Sequence, residues 1–304
     1  MTAFLTIFGQ VALLFAFSAV GFTLAKLGIV KVEHSAILSK LLVFFFLPCN
    51  IFRTFATQFR IPYLRENYEI LLVALGAILV IAFASYFGSK LFSRESYERR
   101  VYEYSLAIPN SGYMGYPLAE ALLGTTTMMG MMVFAVPVSF YIYIYGYARL
   151  TKSRLSPRKM INPVTVAILL GVAVGLSGIT IPEIPLSFFS SAAACMGPIS
   201  MLLTGIAVSE FGIPALFSEP KAYLLSIFRL LIAPLAVGGV AYLLCGIEVA
   251  TVSVLYFAMP CGLNTIVFSK AVGEKSKTAA SLIFVSTVLS LLTIPIVLYL
   301  FGVS

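Results

Sequence analysis

Ten long apolar stretches follow one another along the chain, separated by short polar connections. Each is about 18 to 25 residues long, enough for a helix to cross roughly 30 Å of hydrocarbon. Their predicted limits are 3–24, 36–57, 69–92, 100–122, 126–148, 162–179, 186–209, 222–245, 250–272 and 277–301. The pattern predicts an all-α polytopic membrane protein with a five-helix repeat over 1–148, a basic linker over 149–161 and a second five-helix repeat over 162–304.

Lysine and arginine residues are distributed unevenly over the two sides that alternate between successive spans. Only Arg53, Arg60 and Arg65 lie on one side, and Arg229 lies within the eighth span. The other side holds Lys26, Lys31, Lys40, Lys90, Arg94, Arg99, Arg100, Arg149, Lys152, Arg154, Arg158, Lys159, Lys221, Lys270, Lys275 and Lys277. Because basic loops stay in the cytoplasm, we expect both termini on the extracytoplasmic side of the plasma (inner) membrane. Five spans per half then make the second half an inverted repeat of the first.

The fourth and ninth spans are each interrupted near the middle by helix-breaking residues. Proline removes a helical hydrogen bond, and glycine loosens the backbone. The residues concerned are Pro109, Gly112, Gly115 and Pro117 in the fourth span, and Pro260 and Gly262 in the ninth. Broken helices at corresponding places in two halves indicate the binding site of a secondary transporter. We therefore expect the two breaks to cross near the middle of the membrane.

Composition excludes several other classes of protein. Hydrophobic residues make up 60% of the chain, charged residues make up 11%, and the mean hydropathy is +1.02, unlike any ordinary soluble domain. The net charge of +8 is spread between the spans, which argues against nucleic-acid binding. Four cysteines and one histidine show no metal-ligand spacing, and no catalytic triad or phosphate-binding loop is present. We expect neither an enzyme nor a cofactor, and the twelve acidic residues are all glutamates.

The residues around the two breaks resemble the motifs of a known family of transporters. The segment from Pro109 to Leu118 resembles the fourth-span motif of the auxin efflux carrier family, and the segment from Pro260 to Lys270 resembles its ninth-span motif. The resemblance extends over essentially the whole chain and is closest to the prokaryotic members. The family belongs to the bile/arsenite/riboflavin transporter superfamily.

This resemblance implies a fold similar to sodium/proton antiporters, in which helices four and nine unwind and cross. It implies a scaffold formed by helices 1, 2, 6 and 7, and a transport domain formed by helices 3–5 and 8–10. Relatives are associated with malate, malonate and auxin, all carboxylates. Two departures matter: Cys261 lies where plant members tend to carry a polar amide, and the absence of aspartate removes any aspartate-based proton site.

Polar residues beside the breaks are the candidates for substrate binding. Asn110 and Asn264 offer amide groups that can orient a carboxylate, and Ser111 and Thr265 add hydroxyls. Alternatively, these side chains only satisfy backbone groups that the prolines free.

Three further features lie away from the breaks. Asn50 could face the site from the scaffold or make an interhelical hydrogen bond. Arg229 could be a counter-charge to an anion or could extend towards the cytoplasmic interface. The alternating tyrosines from Tyr141 to Tyr147 are typical of an interfacial aromatic belt, and the alternative is that they stack against an aromatic substrate.

The sequence therefore predicts a secondary transporter that moves a small organic anion by elevator-type alternating access. The anion would be a mono- or dicarboxylate such as malate or malonate, or an auxin-like acid. The alternatives are a sodium- or proton-coupled symporter or antiporter of the bile acid transporter branch, and a non-transporting receptor on a transporter fold. The expected partners are the substrate and the lipid bilayer, and a homodimer is compatible with the sequence.

Overall fold

The computed structural model describes residues 2–154, 158, 161–271 and 276–302, and these residues form helices and no β-strand. Short helical segments lie at Val32–His34 and Ile213–Phe217. The main helices, numbered in chain order, are α1 (Thr2–Lys26), α2 (Ser35–Gln58), α3 (Ile61–Phe92), α4 (Ser96–Ala107), α5 (Ser111–Thr151), α6 (Pro163–Ser177), α7 (Glu183–Val208), α8 (Pro220–Cys245), α9 (Ile247–Phe257), α10 (Asn264–Ala271) and α11 (Lys277–Leu300).

Most of these helices have the length and composition of membrane spans. Seven described helices (α1, α2, α3, α5, α7, α8 and α11) are long and apolar enough to cross a membrane, whereas α6 and α9 are apolar but shorter. Helix α5 is interrupted at Gly124, whose φ of 82° and ψ of 176° are not helical. This glycine separates the parts predicted as the fourth and fifth spans. The all-α polytopic membrane protein is thus confirmed, and the count of ten crossings stays a prediction.

Prolines widen several of the helices locally. A proline cannot donate to the carbonyl four residues before it, so the hydrogen-bond ladder must adjust there. Three of the wider π-helical turns contain that carbonyl: Leu42–Phe46 before Pro48, Ser111–Gly115 before Pro117, and Phe228–Ile232 before Pro234. The fourth turn, Tyr141–Gly146, contains no such carbonyl. Two of the three proline-linked turns contain candidate site residues, Ser111 and Arg229.

The helices pack most extensively within two groups. In the first, α1 packs on α7 and α2 packs on both α6 and α7. In the second, α3 packs on α4 and α5, and α8 packs on α9 and α11. Glycine permits the closest approach in the first group, because a Cβ atom on Gly205 of α7 would overlap the backbone of α1 at Ser18. The most extensive packing between the two groups is that of α1 against α11.

Candidate functional site

The first break lies between α4 and α5. Helix α4 ends at Ala107, Ile108 is extended with φ of −109° and ψ of 115°, and Asn110 has φ of −80° and ψ of 43°. Pro109 has no N–H to continue the helix. The backbone N–H groups of Met114 and Gly115 then both donate to the Asn110 carbonyl, at 3.1 and 3.2 Å, and start α5 as a wide turn. Helix α5 therefore begins at the break with its N-terminus pointing to it.

The second break lies between α9, which ends at Phe257, and α10, which begins at Asn264. Pro260 lies in the middle of this segment. The Cys261 backbone N–H donates to the Ser286 hydroxyl of α11 at 3.0 Å, and the Thr265 N–H donates to the Gly262 carbonyl at 3.0 Å. Neighbouring groups thus accept hydrogen bonds from the backbone N–H groups around the break.

The two breaks meet as a short antiparallel pair of extended backbones. Pro109 lies opposite Cys261 in a β-bridge. The Asn110 N–H donates to the Pro260 carbonyl at 2.8 Å, and the Gly262 N–H donates to the Ile108 carbonyl at 3.1 Å. Each break therefore satisfies backbone groups of the other, as a buried interruption requires.

A small cavity of about 70 Å³ lies against this crossing. Residues of α2, α5, α6, α9, α10 and both breaks line it, and Asn110, Ser111, Gly112, Gly262 and Asn264 are among them. Asn110 is 3% exposed, and its buried Oδ1 has no hydrogen-bond partner among the described residues. The N-termini of α5 and α10 both begin at this cavity, and helix N-termini carry partial positive charge. The cavity therefore presents amide groups and positive helix ends, which suit an anion.

Thr265 is turned away from the cavity. It is fully buried, its hydroxyl donates to the Gly262 carbonyl at 2.8 Å, and it lies 3.5 Å from the Ser105 hydroxyl of α4. Asn264 precedes it on the same helix, and successive helical residues point about 100° apart. Only one of this pair therefore faces the cavity, and that residue is Asn264.

The remaining helix-breaking residues pack the crossing. A Cβ atom on Gly115 would lie 2.9 Å from Met131 Cε, so this glycine lets the beginning of α5 pack closely against the later part of the same helix. Pro117 packs against Gly197 of α7, where a Cβ atom would lie 3.1 Å from the proline ring. These residues shape the backbone around the cavity but do not line it.

Asn50 and Arg229 are both buried, and neither lines the crossing cavity. The Asn50 amide nitrogen lies 3.7 Å from the Met196 sulfur, and its oxygen lies 3.5 Å from Arg53 Nη2. The structure therefore places Asn50 in an interhelical contact between α2 and α7. Arg229 Nη1 lies 3.4 Å from the Leu106 carbonyl at the end of α4. Arg229 thus lies beside the crossing, next to the end of α4.

Tyrosines are the residues that sequence reasoning missed. Tyr113, Tyr116, Tyr143 and Tyr256 all line the cavity. Tyr143 belongs to the run predicted as an interfacial aromatic belt, which stays a prediction, and it also lines the cavity. The wide turn at Tyr141–Gly146 rotates the run relative to a regular helix. Tyr116 directly precedes Pro117, and this position beside a helix-breaking residue is the sequence signal that could have indicated it.

Two polar contacts join the helix groups next to the site. Arg53 of α2 forms an ion pair with Glu120 of α5 at 2.6 Å. The Ser200 hydroxyl of α7 donates to the Tyr113 carbonyl at 2.8 Å. Across the described part of the chain, no group of three or more histidine, cysteine or acidic residues could hold a metal ion.

Comparison with known proteins agrees with this architecture. A family model described as a membrane transport protein matches residues 6–157 and 154–298. An uncharacterized transporter of Methanocaldococcus jannaschii is 25% identical over 292 residues, which cover 90% of this chain and 92% of the relative. An uncharacterized transporter of Methanothermobacter thermautotrophicus is 29% identical over 199 residues, which cover 62% of this chain and 64% of the relative. The chain belongs to the membrane transport protein family, the family of the auxin efflux carriers, whose members are transporters and not enzymes.

Proposed function

We propose that the protein is a secondary transporter that carries a small organic anion across the plasma membrane and binds it at the crossing of the two broken helices. The substrate class is a mono- or dicarboxylate, such as malate, malonate or an auxin-like acid. The observation that carries the proposal is the cavity at the paired breaks, which Asn110, Ser111 and Asn264 all line and where the Asn110 Oδ1 has no hydrogen-bond partner among the described residues.

The chemistry of the cavity favours a carboxylate over a cation. Two helix N-termini begin at the cavity, and each supplies N–H donors and partial positive charge. The asparagine amides can donate to carboxylate oxygens, and the Asn110 oxygen can accept from a substrate hydroxyl. No acidic residue in the described part of the chain lines the cavity. A bound cation would therefore meet no counter-charge there, whereas an anion would be stabilised.

The size of the cavity requires movement during transport. A volume of about 70 Å³ is far below the roughly 300 Å³ at which small-molecule pockets begin. The substrate can therefore enter only when the surrounding helices separate. The two packing groups suggest how this occurs: α3–α5 and α8–α11 slide as a transport domain against a scaffold of α1, α2, α6 and α7. The Arg53–Glu120 ion pair crosses this boundary next to the site.

The proposed topology sets the energetics of transport. Ten crossings in two inverted repeats place the basic connections in the cytoplasm and both termini outside. At a negative-inside potential, export of an anion is favourable by about 2.3 kcal/mol per charge per 100 mV. Export therefore needs no coupled ion, whereas uptake against this potential does.

Transport by purified protein in proteoliposomes tests the proposal. Labelled malate, malonate and indole-3-acetate are each offered at a negative and at a zero membrane potential, with and without sodium. We expect flux of at least one acid, and we expect Asn110→Ala and Asn264→Ala to reduce it at least tenfold. Asn67→Ala is the matched control, because Asn67 lies in α3 away from the crossing cavity.

Each other outcome has a distinct meaning. Flux that both asparagine variants retain would show that the site is elsewhere. Uptake that disappears without sodium would favour the sodium-coupled alternative. Binding of an acid without any flux would favour a receptor.

A further inference from the structure

Arg229 is a buried cation for which the fold provides no anionic partner. It is 1% exposed, and its Nε and Nη2 atoms have no hydrogen-bond partner among the described residues. The ion pairs formed by the described residues are Arg53 with Glu120 and Arg149 with Glu103, so no described carboxylate neutralises Arg229. Transfer of an unpaired charge into a membrane protein is costly, and such residues are functional candidates by default.

Arg229 contacts a backbone carbonyl at the end of one broken helix and the side chain of the last residue of the other. Its Nη1 lies 3.4 Å from the Leu106 carbonyl, in the last turn of α4. Its guanidinium carbon lies 5.4 Å from the ring centroid of Phe257, the last residue of α9. Helix C-termini carry about half a negative charge each. Arg229 therefore offsets the field of both C-termini at the crossing.

The sum of charges at the crossing follows from this placement. Two helix C-termini and two helix N-termini meet there, and without Arg229 their partial charges would cancel. With Arg229 the negative ends are compensated, and the positive N-termini of α5 and α10 remain. The crossing as a whole then carries about one positive charge, which a bound anion can neutralise.

Resting on the proposed transport function, we propose that Arg229 is the residue that makes the site prefer anions over neutral molecules, and that it acts without contacting the substrate. It does not line the crossing cavity. Arg229 contacts the Leu106 carbonyl, and Leu106 lies four positions before Asn110, a stretch that spans at most about 14 Å when extended. A unit charge roughly 10 to 14 Å away, at an effective dielectric constant near 20, changes the affinity for a monoanion about five- to twentyfold.

Binding of matched acids and amides measures this preference directly. Isothermal titration calorimetry gives the Kd of wild-type protein for indole-3-acetate against indole-3-acetamide and for malonate against malonamide. Arg229→Gln keeps a polar side chain but removes the charge, whereas Arg229→Lys keeps the charge. Arg100→Gln is the control, because Arg100 is also a buried arginine but donates to Ser96 near the cytoplasmic end of α4.

For the monoanion indole-3-acetate, we expect the ratio of amide Kd to acid Kd to fall about five- to twentyfold in Arg229→Gln, with the affinity for the amide unchanged. The fall should be larger for malonate, because malonate carries two charges at neutral pH. Arg229→Lys and Arg100→Gln should keep most of the wild-type ratio. If Arg229→Gln does not give a monodisperse protein, Arg229→Met replaces it, because methionine is uncharged, long and flexible enough to fill irregular space in a packed interior. An unchanged ratio in the uncharged variant, or an equal loss in Arg229→Lys, would refute the role of the charge. If wild-type protein binds none of the acids, the proposed function fails and this inference fails with it.

Discussion

Replacement of Gly112 by alanine should raise stability and lower transport at the same time. Gly112 lies in the wide first turn of α5 and lines the crossing cavity. A Cβ atom built on it meets no other atom within 4 Å, and its φ is not in the left-handed region. Alanine therefore fits the native backbone without strain, and its methyl group points into open space.

The two effects can be estimated separately. A methyl group is about as large as a water molecule, whose share of liquid volume is roughly 30 Å³. On a residue that lines a cavity of only about 70 Å³, this methyl group would narrow the space for substrate, and we expect substrate affinity to fall at least tenfold. Alanine also reduces the conformational freedom of the unfolded chain, which stabilises the folded protein by about 0.4–1 kcal/mol. This corresponds to a rise in Tm of roughly 1–3 °C.

The assay pairs thermal unfolding in detergent with substrate flux in proteoliposomes. Gly76→Ala is the matched control, because a Cβ atom at Gly76 also meets nothing within 4 Å, but Gly76 lies on the exposed surface of α3 away from the cavity. The control should gain similar stability and keep its flux. Normal flux in Gly112→Ala would show that the substrate does not occupy this cavity. A large loss of stability would show that the backbone at the break differs from the one described.

Three further predictions concern the packing around the site. Arg149→Met should destabilise the protein more than Glu103→Gln, as thermal unfolding of the two variants will measure. Arg149→Met leaves the Glu103 carboxylate, which is 2% exposed, without its ion-pair partner. Glu103→Gln leaves Arg149 without its partner, but Arg149 is 31% exposed and reaches water. Gly205→Ala should lower Tm by several degrees or abolish folding, because a Cβ atom there overlaps the backbone of α1; size-exclusion chromatography and Tm measure this. Glu120→Arg should break the ion pair between α2 and α5 and lower the stability of the protein. The double variant with Arg53→Glu should regain part of that stability, with a coupling energy of about 1 kcal/mol in a double-mutant cycle.

The controls for these predictions come from the same chain. Gly9→Ala should leave Tm unchanged or raised, since a Cβ atom at Gly9 meets nothing within 4 Å. Equal stability of Arg149→Met and Glu103→Gln would contradict the burial of Glu103. A double charge exchange that is no more stable than the sum of the single variants would show that the 2.6 Å ion pair contributes nothing.

Local chemistry explains why the breaks could be predicted. Proline lacks an N–H wherever it occurs, so Pro109 and Pro260 interrupt helices regardless of their neighbours. Apolar runs of membrane-spanning length likewise specify helices by themselves, because lipid leaves no other partner for the backbone. The helices and the two interruptions are therefore properties of the sequence.

The placement of individual side chains depends on helix phase, which shifts with each wide turn or break. A change of one position rotates a side chain by about 100°, which separates Asn264 in the cavity from Thr265 outside it. The same effect brings Tyr143 into the cavity. Sequence periodicity alone does not reveal such rotations, because the π-helical turn at Tyr141–Gly146 has no proline signal.

The sequence by itself determined an all-helical membrane protein with two interrupted spans, since both features follow from the local chemistry of the backbone. Only the tertiary structure decided that the interruptions pair through Asn110 and Gly262, and that Arg229 lies behind the crossing against the end of α4. These contacts join residues more than 120 positions apart in the chain. They depend on how helices pack against one another, and this packing is set by the shapes of whole surfaces and not by any short stretch of sequence.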